Sequence, residues 1–307
     1  MKILSGNNSK ALAEKIALHL NTTLVSVDIK RFSDHEMFVE ILESVRGHDV
    51  FIIQSTSDPV NDSLMELLII IDALKRSSAA RITAVMPYFG YSRQDRKSAS
   101  RTSISAKLVA NLLTTAGASR VLTVDLHAGQ IQGFFDIPCD DIMVYKLFAS
   151  DIKTRNFRNP VIVSPDVGGV KRARHLAELL GLNLCIIDKR RPEAGKSEVM
   201  NVIGEVEGAT CILLDDIVDS GGTLIHAASA LKEKGALEVF AYATHGVLSG
   251  NAFSKIETSQ LENITISDSI PSKISPKIRA LTLSPLLAQT IQHIHGEQSV
   301  EGIFSHE

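Results

Sequence analysis

Short apolar runs alternate along the whole chain with stretches whose apolar residues recur three and four positions apart, and this alternation limits the fold more than any other feature. The runs fall at residues 2–4, 24–29, 37–42, 50–54, 81–87, 121–125, 161–163, 184–187, 211–214, 239–244, 264–267 and 279–283. They are brief and rich in Val and Ile, which suits strands buried on both faces of a parallel sheet. Between them, residues 9–20 carry Leu12, Ile16 and Leu20, and residues 61–75 carry Leu64, Leu67, Leu68 and Ile71. Residues 103–116 carry Ile104, Leu108, Asn111 and Leu112, residues 169–180 carry Ala173, Leu176 and Ala177, and residues 222–234 carry Leu224, Ala228 and Leu231. Each set is a helical stripe. Strand, helix and strand in succession imply right-handed crossovers and a doubly wound α/β architecture with mostly parallel central sheets. A length of 307 residues predicts two such halves, joined near residues 138–150.

Hydrophobic residues make up 44% of the chain and charged residues 22%, enough for large cores without covalent staples. The net charge of −3 and the absence of a basic block argue against a nucleic-acid partner. The longest aliphatic run, residues 67–71, is too short to cross a bilayer, and the start of the chain shows no secretory pattern. Cys139, Cys185 and Cys211 are far apart and form no CxxC pair, so free thiols and a cytoplasmic setting are expected, with no membrane partner.

In open parallel sheets ligands bind where strands end. The most informative strand end is Cys211-Ile212-Leu213-Leu214-Asp215-Asp216-Ile217-Val218-Asp219-Ser220-Gly221-Gly222-Thr223. Here an apolar strand runs into acids and then a small turn that opens a helix. Gly221 and Gly222 let backbone N–H groups approach a bound group, Ser220 and Thr223 add hydroxyls, and the helix start favours an anion such as phosphate. Asp215 and Asp216 are placed to accept hydrogen bonds from sugar hydroxyls. An ordinary helix cap accounts for one Asp or Ser of this set, but not for three acids and two glycines together.

Four further segments are open to bland readings when taken singly. Arg31-Phe32-Ser33-Asp34-His35-Glu36 reads as a polar connection. Tyr88-Phe89-Gly90-Tyr91-Ser92-Arg93-Gln94-Asp95-Arg96-Lys97 reads either as a polyphosphate clamp or as a solvated charged loop. His127, in Val124-Asp125-Leu126-His127-Ala128-Gly129, is a metal ligand or a structural histidine. Asp166, in Val163-Ser164-Pro165-Asp166-Val167-Gly168-Gly169-Val170-Lys171-Arg172, has the oxygen chemistry that magnesium prefers.

The 211–223 run resembles the phosphoribosyl pyrophosphate motif shared by type I phosphoribosyltransferases and ribose-phosphate pyrophosphokinases. All five segments in this order resemble the ribose-phosphate pyrophosphokinases, from Ser5-Gly6-Asn7 to past His245. The resemblance implies two similar domains of the type I phosphoribosyltransferase kind, at residues 1–145 and 146–285, with 286–307 returning to the first. It implies transfer of a diphosphoryl group from ATP to ribose 5-phosphate, giving AMP and the 1-diphosphate used in nucleotide, histidine and tryptophan synthesis. ATP contacts carry over to Phe32, Asp34, His35, Glu36, Arg93 and Gln94, the first loop coming from a neighbouring subunit. His35 stands where the family usually has Gly, which bears on the backbone there.

Magnesium ligation, with two ions and one of them carried by ATP, carries over to His127 and Asp166. The ribose 5-phosphate site carries over to Asp215, Asp216, Asp219, Ser220, Gly221, Gly222 and Thr223. The stretch Asp188-Lys189-Arg190-Arg191-Pro192-Glu193-Ala194-Gly195-Lys196-Ser197 resembles the family's catalytic loop. Its catalytic pair carries over to Lys189 and Arg191, and Arg191 also reaches the ribose 5-phosphate. Gly195-Lys196-Ser197 echoes a Walker loop, but Arg190 occupies the place of its first glycine. Self-association, as a homohexamer built from dimers, is also a family expectation. A phosphoribosyltransferase and a non-catalytic regulatory relative are the rival readings. The first has no use for residues 93–97 or 188–197, and the second should have lost the side chains named here.

Overall fold

The computed structural model describes residues 1–190 and 199–304. The chain divides into two compact units, one formed by Met1–Met143, Ser269–Pro271 and Thr282–Glu307, the other by Val144–Asp268 and Ser272–Leu281.

The first unit runs through β1 (Lys2–Ser5), α1 (Lys10–His19), β2 (Val27–Arg31), β3 (Met37–Ile41), β4 (Asp49–Ile53), α2 (Val60–Arg76), β5 (Arg81–Met86), α3 (Ser105–Ala116), β6 (Arg120–Val124) and β7 (Cys139–Ile142). Five strands form a wholly parallel sheet in the order β1-β4-β5-β6-β7. Val50 and Ile52 of β4 and Ala84 and Met86 of β5 pack with Leu67, Ile70 and Ile71 of α2 and with Val109 and Leu113 of α3.

Two expectations need correction in this unit. The runs at 24–29 and 37–42 were expected in a sheet buried on both faces, but β2 and β3 form a separate antiparallel hairpin. Val27, Ile29, Val39 and Ile41 pack against the core while Lys30 and Phe38 face out, the alternation of a half-buried ribbon. The apolar stripe expected to bury α3, with Ile104, Leu108, Asn111 and Leu112, is instead its exposed side, and Leu108 is 57% exposed. The buried face carries Ala106, Val109, Ala110 and Leu113. The helix has apolar residues on two sides, and the smaller ones fit the close approach to the sheet.

The second unit runs through α4 (Tyr145–Thr154), β8 (Pro160–Ser164), α5 (Val170–Leu180), β9 (Asn183–Arg190), β10 (Val199–Ile203), β11 (Thr210–Val218), α6 (Gly222–Glu233), β12 (Glu238–Gly246), α7 (Ala252–Glu257), β13 (Asn263–Ser267) and β14 (Ile278–Leu281). Its sheet has the order β10-β9-β8-β11-β12-β13-β14, parallel except for the β9–β10 pair. The apolar runs gave no sign of β7 or β10. Both are edge strands; β7 reads CDDI, because an edge strand buries less and needs less apolar sequence, whereas β10 reads VMNVI and was passed over despite its apolar residues.

The chain then returns to the first unit in α8 (Ser284–His295) and α9 (Glu301–Phe304), and α8 packs on α1. Arg81 pairs with Asp49 through Nε and Nη2, one edge of its guanidinium, and His295 Nδ1 lies 2.8 Å from Asp49 Oδ2, fastening the end of α8 to the sheet. Among the described residues no helix is long and apolar enough to cross a membrane.

Candidate active site

The second unit carries the acid-and-glycine turn. β11 extends through Val218, so Asp215 and Asp216 lie within the strand and not beyond it as the apolar run 211–214 implied. Asp216 is only 5% exposed. Arg172, in the first turn of α5, places Nη1 2.9 Å from Asp216 Oδ1. The N–H of Asp216 also donates to Asp215 Oδ1 at 2.9 Å. Burial, then the adjacent Asp216 charge, push the Asp215 carboxyl up to about 8. A buried acid beside another acid favours its neutral form.

Past β11, Asp219 is half-buried, Ser220 exposed, and Gly221 buried at φ +75°. That left-handed backbone suits glycine, and α6 starts directly after it. A Cβ on Gly222 would meet only Ser220 Oγ at 3.7 Å, so the space before the helix start is open. Thr223 is exposed in the first turn of α6. The opening N–H groups of a helix lack intrahelical partners and carry partial positive charge, so this turn can take a phosphate. The Asp219 carbonyl accepts the Ser249 N–H at 3.2 Å, bracing the turn.

Asp166 follows β8. Its Oδ1 accepts the Gly169 N–H at 2.8 Å, and its carbonyl accepts the Ser164 hydroxyl at 2.7 Å. This half-exposed carboxylate thus opens α5, the helix that supplies Arg172.

The first unit holds the residues expected to meet ATP. In the turn between β2 and β3, Phe32 N–H donates to Glu36 O and His35 N–H to Phe32 O, each at 2.9 Å. His35 adopts φ +72°, the left-handed conformation that a Gly takes at no cost. Phe32 is 55% exposed, and its ring lies 5.9 Å from that of Phe38. At the base of the turn, Arg31 pairs with Asp62 at 3.0 Å. Asp62 lines a groove of about 520 Å³ together with Asn61, Tyr91, Arg93 and Gln94. The second segment therefore lines this groove, and Arg31, at the base of the first segment, is tied to its lining through Asp62. Gln94 is anchored by its N–H to Tyr91 O at 2.9 Å and by Ser105 Oγ on its side-chain oxygen at 2.6 Å.

His127 is exposed past the end of β6. Just before it, Leu126 N–H donates to Asp141 Oδ1 at 3.0 Å; just after it, Gln130 reaches Asp95 at 2.8 Å, linking this loop to the Arg93–Gln94 segment. Among the described residues no three His, Cys, Asp or Glu gather as a metal cluster. Arg191 and residues 192–197 of the expected catalytic loop lie outside the described residues, and Lys189 is described as β9 backbone only. Arg172 is a partner of the acids to which sequence reasoning gave no role, because its pairing spans 44 positions and has no local signature.

The parallel sheets and the strand-end turn define an α/β protein of the type I phosphoribosyltransferase kind. Residues 1–117 match the model of the N-terminal domain of ribose phosphate pyrophosphokinase, and residues 189–305 match a phosphoribosyl synthetase-associated domain. Ribose-phosphate pyrophosphokinases of Granulibacter bethesdensis and Brucella melitensis are 59% and 58% identical to the chain, each over 99% of it and 100% of the relative. The crystal structure of phosphoribosylpyrophosphate synthetase from Mycobacterium smegmatis superposes with a TM-score of 0.91 at 42% identity, covering 96% of this chain and 99% of that one. The chain belongs to the ribose-phosphate pyrophosphokinase family.

Proposed function

We propose that the chain is an enzyme that transfers the diphosphoryl group of ATP to the anomeric hydroxyl of ribose 5-phosphate, producing 5-phosphoribosyl 1-diphosphate and AMP. Full-length kinship with ribose-phosphate pyrophosphokinases carries this reading. The turn of Asp219, Ser220, Gly221, Gly222 and Thr223 takes the sugar's 5-phosphate, and Asp215 and Asp216 take its ribose hydroxyls. Support comes from the open space at Gly222 ahead of α6 and from the two acids on the strand that leads into it.

Arg93 and Gln94 hold ATP from the groove of the first unit, and Phe32, Asp34, His35 and Glu36 of a neighbouring copy cover its base. The exposed Phe32 ring supports the second assignment. Lys189 and Arg191 meet the charge that grows on the transferring group, the task left to a protein in phosphoryl transfer. Asp166 fits magnesium: it is an oxygen donor with one carboxylate oxygen engaged by Gly169 among the described residues. His127, exposed at a strand end, is the second ligand of this reading. Bound magnesium would neutralise phosphate charge. The chain acts at least as a dimer and, on the family pattern, as a homohexamer; the exposed Ile104, Leu108 and Leu112 of the α3 segment offer apolar surface for a second copy. The reading places the protein in the cytoplasm.

Incubation with ATP, magnesium and ribose 5-phosphate tests this directly. AMP and 5-phosphoribosyl 1-diphosphate should appear in equal amounts, and Lys189→Ala should lower kcat on the order of 10²–10⁴-fold with a smaller change in KM. Absence of AMP from the intact protein would sink the assignment.

A further inference from the structure

Asp216 presents a physical difficulty that the sugar site alone does not resolve. A carboxylate that is 5% exposed has lost most of its hydration, and an unpaired buried charge is costly. Its neighbour Asp215 is a second acid, joined to it by the 2.9 Å contact from Asp216 N–H to Asp215 Oδ1. Two adjacent acids beside a strand end would share protons and swing between orientations unless a cation distinguished them.

Arg172 supplies that cation. Its side chain is 16% exposed, and its Nη1 lies 2.9 Å from Asp216 Oδ1. A guanidinium stays charged and presents donors in a planar fork, so it orients a carboxylate as well as neutralising it. The helix that carries Arg172 is itself anchored: Gly169 N–H, at its start, donates to Asp166 Oδ1 at 2.8 Å. Asp166, α5, Arg172 and Asp216 therefore form one connected chain of contacts within the second unit. A buried ion pair contributes little net stability, but removing one partner strands the remaining charge.

We propose that Arg172 is a positioning residue for sugar binding: reaching from the first turn of α5, it fixes the Asp216 carboxylate in the orientation that receives the ribose hydroxyls. This rests on the reading of Asp216 as a ribose contact. Arg172 acts through Asp216, so its removal weakens binding of the sugar phosphate and leaves the nucleotide side untouched.

Steady-state AMP release by the full-length protein, with each substrate varied in turn, tests this. Arg172→Gln should raise the KM for ribose 5-phosphate on the order of 10- to 100-fold, the range set by one charge-assisted hydrogen bond, with the KM for ATP changing less than about twofold. Arg172→Lys, which keeps the charge but lacks the planar fork, should recover only part of the loss. Asp216→Asn should raise the same KM, and the double variant should be no worse than Asp216→Asn alone, because the two side chains act as one unit. A raised KM in Asp216→Asn with normal kinetics in Arg172→Gln overturns the proposal while leaving the site reading intact. Multiplying effects in the double variant, or equal losses for both substrates, also overturn it. An unchanged ribose 5-phosphate KM in Asp216→Asn overturns the site reading itself, and the role of Arg172 with it. If Arg172→Gln fails to fold, the same cycle run with Arg172→Lys gives the decision: non-additivity supports the proposal and additivity overturns it.

Discussion

At the scale of single residues, two side chains sit in states that their own chemistry resists. His35 holds φ +72° in the turn between β2 and β3. A side-chain-bearing residue pays about 1–2 kcal/mol in that region, part of which glycine regains in flexibility of the unfolded chain. His35→Gly should therefore raise stability by up to about 1 kcal/mol in urea unfolding; a destabilised variant would show that the imidazole makes contacts outweighing the strain. Asp215 is the second case, raised to about 8 by burial and by Asp216. Between its unfolded value near 4 and about 8, the folded chain keeps a proton that the unfolded chain releases. Stability without ligand should then fall as pH rises across that window. Asp215→Asn, neutral throughout, should flatten the dependence of the melting midpoint on pH, and an unaltered slope would refute this account.

At the scale of elements, α3 shows how a correct helix can be read on the wrong face. Periodicity located the helix, but apolar residues occur on two of its sides, and the bulky Ile104, Leu108 and Leu112 drew the assignment. The sheet takes Ala106, Val109, Ala110 and Leu113, which form an i, i+3, i+4, i+7 set of their own. On the proposed assembly, this exposed stripe is the surface that meets another copy. Leu108→Glu should change folding stability by no more than about 0.5 kcal/mol in the separated chain, as for other surface positions, yet shift the protein to smaller assemblies in light scattering. Retention of the wild-type mass would remove this face from the interface. The β2–β3 hairpin differs: Asp28, Lys30 and Glu40 alternate with Val27, Ile29, Val39 and Ile41, so its half-buried character is written in the sequence and only its pairing partner is not.

At the scale of the whole molecule, the Asp49 carboxylate helps fasten the chain's last long helix to its first sheet. Burial works to raise Asp49, but hydrogen bonds from Arg81 and His295 outweigh it and hold the group below its ordinary value. A carboxyl depressed in this way contributes stability above its unfolded value near 4, and that contribution is lost as pH falls through the folded value. Asp49→Asn should cost on the order of 2 kcal/mol near pH 7. The gap between variant and wild type in denaturant midpoint should close below about pH 4; a constant gap would exclude the ionised carboxylate as its source.

What the amino-acid order determined by itself is what short segments carry: the alternation of strands and helices, the paired glycines of the turn after β11, and the acids and hydroxyls grouped within thirteen positions at 211–223. Local backbone preference and side-chain period act over a few residues and can be read there. The tertiary structure alone decided which face of α3 is buried, that β2 and β3 pair with each other, that β7 and β10 close the sheet edges, and that Arg172 meets Asp216. Each of these depends on contacts between distant segments, where the competing arrangements have the same local preferences and differ only in what packs against them.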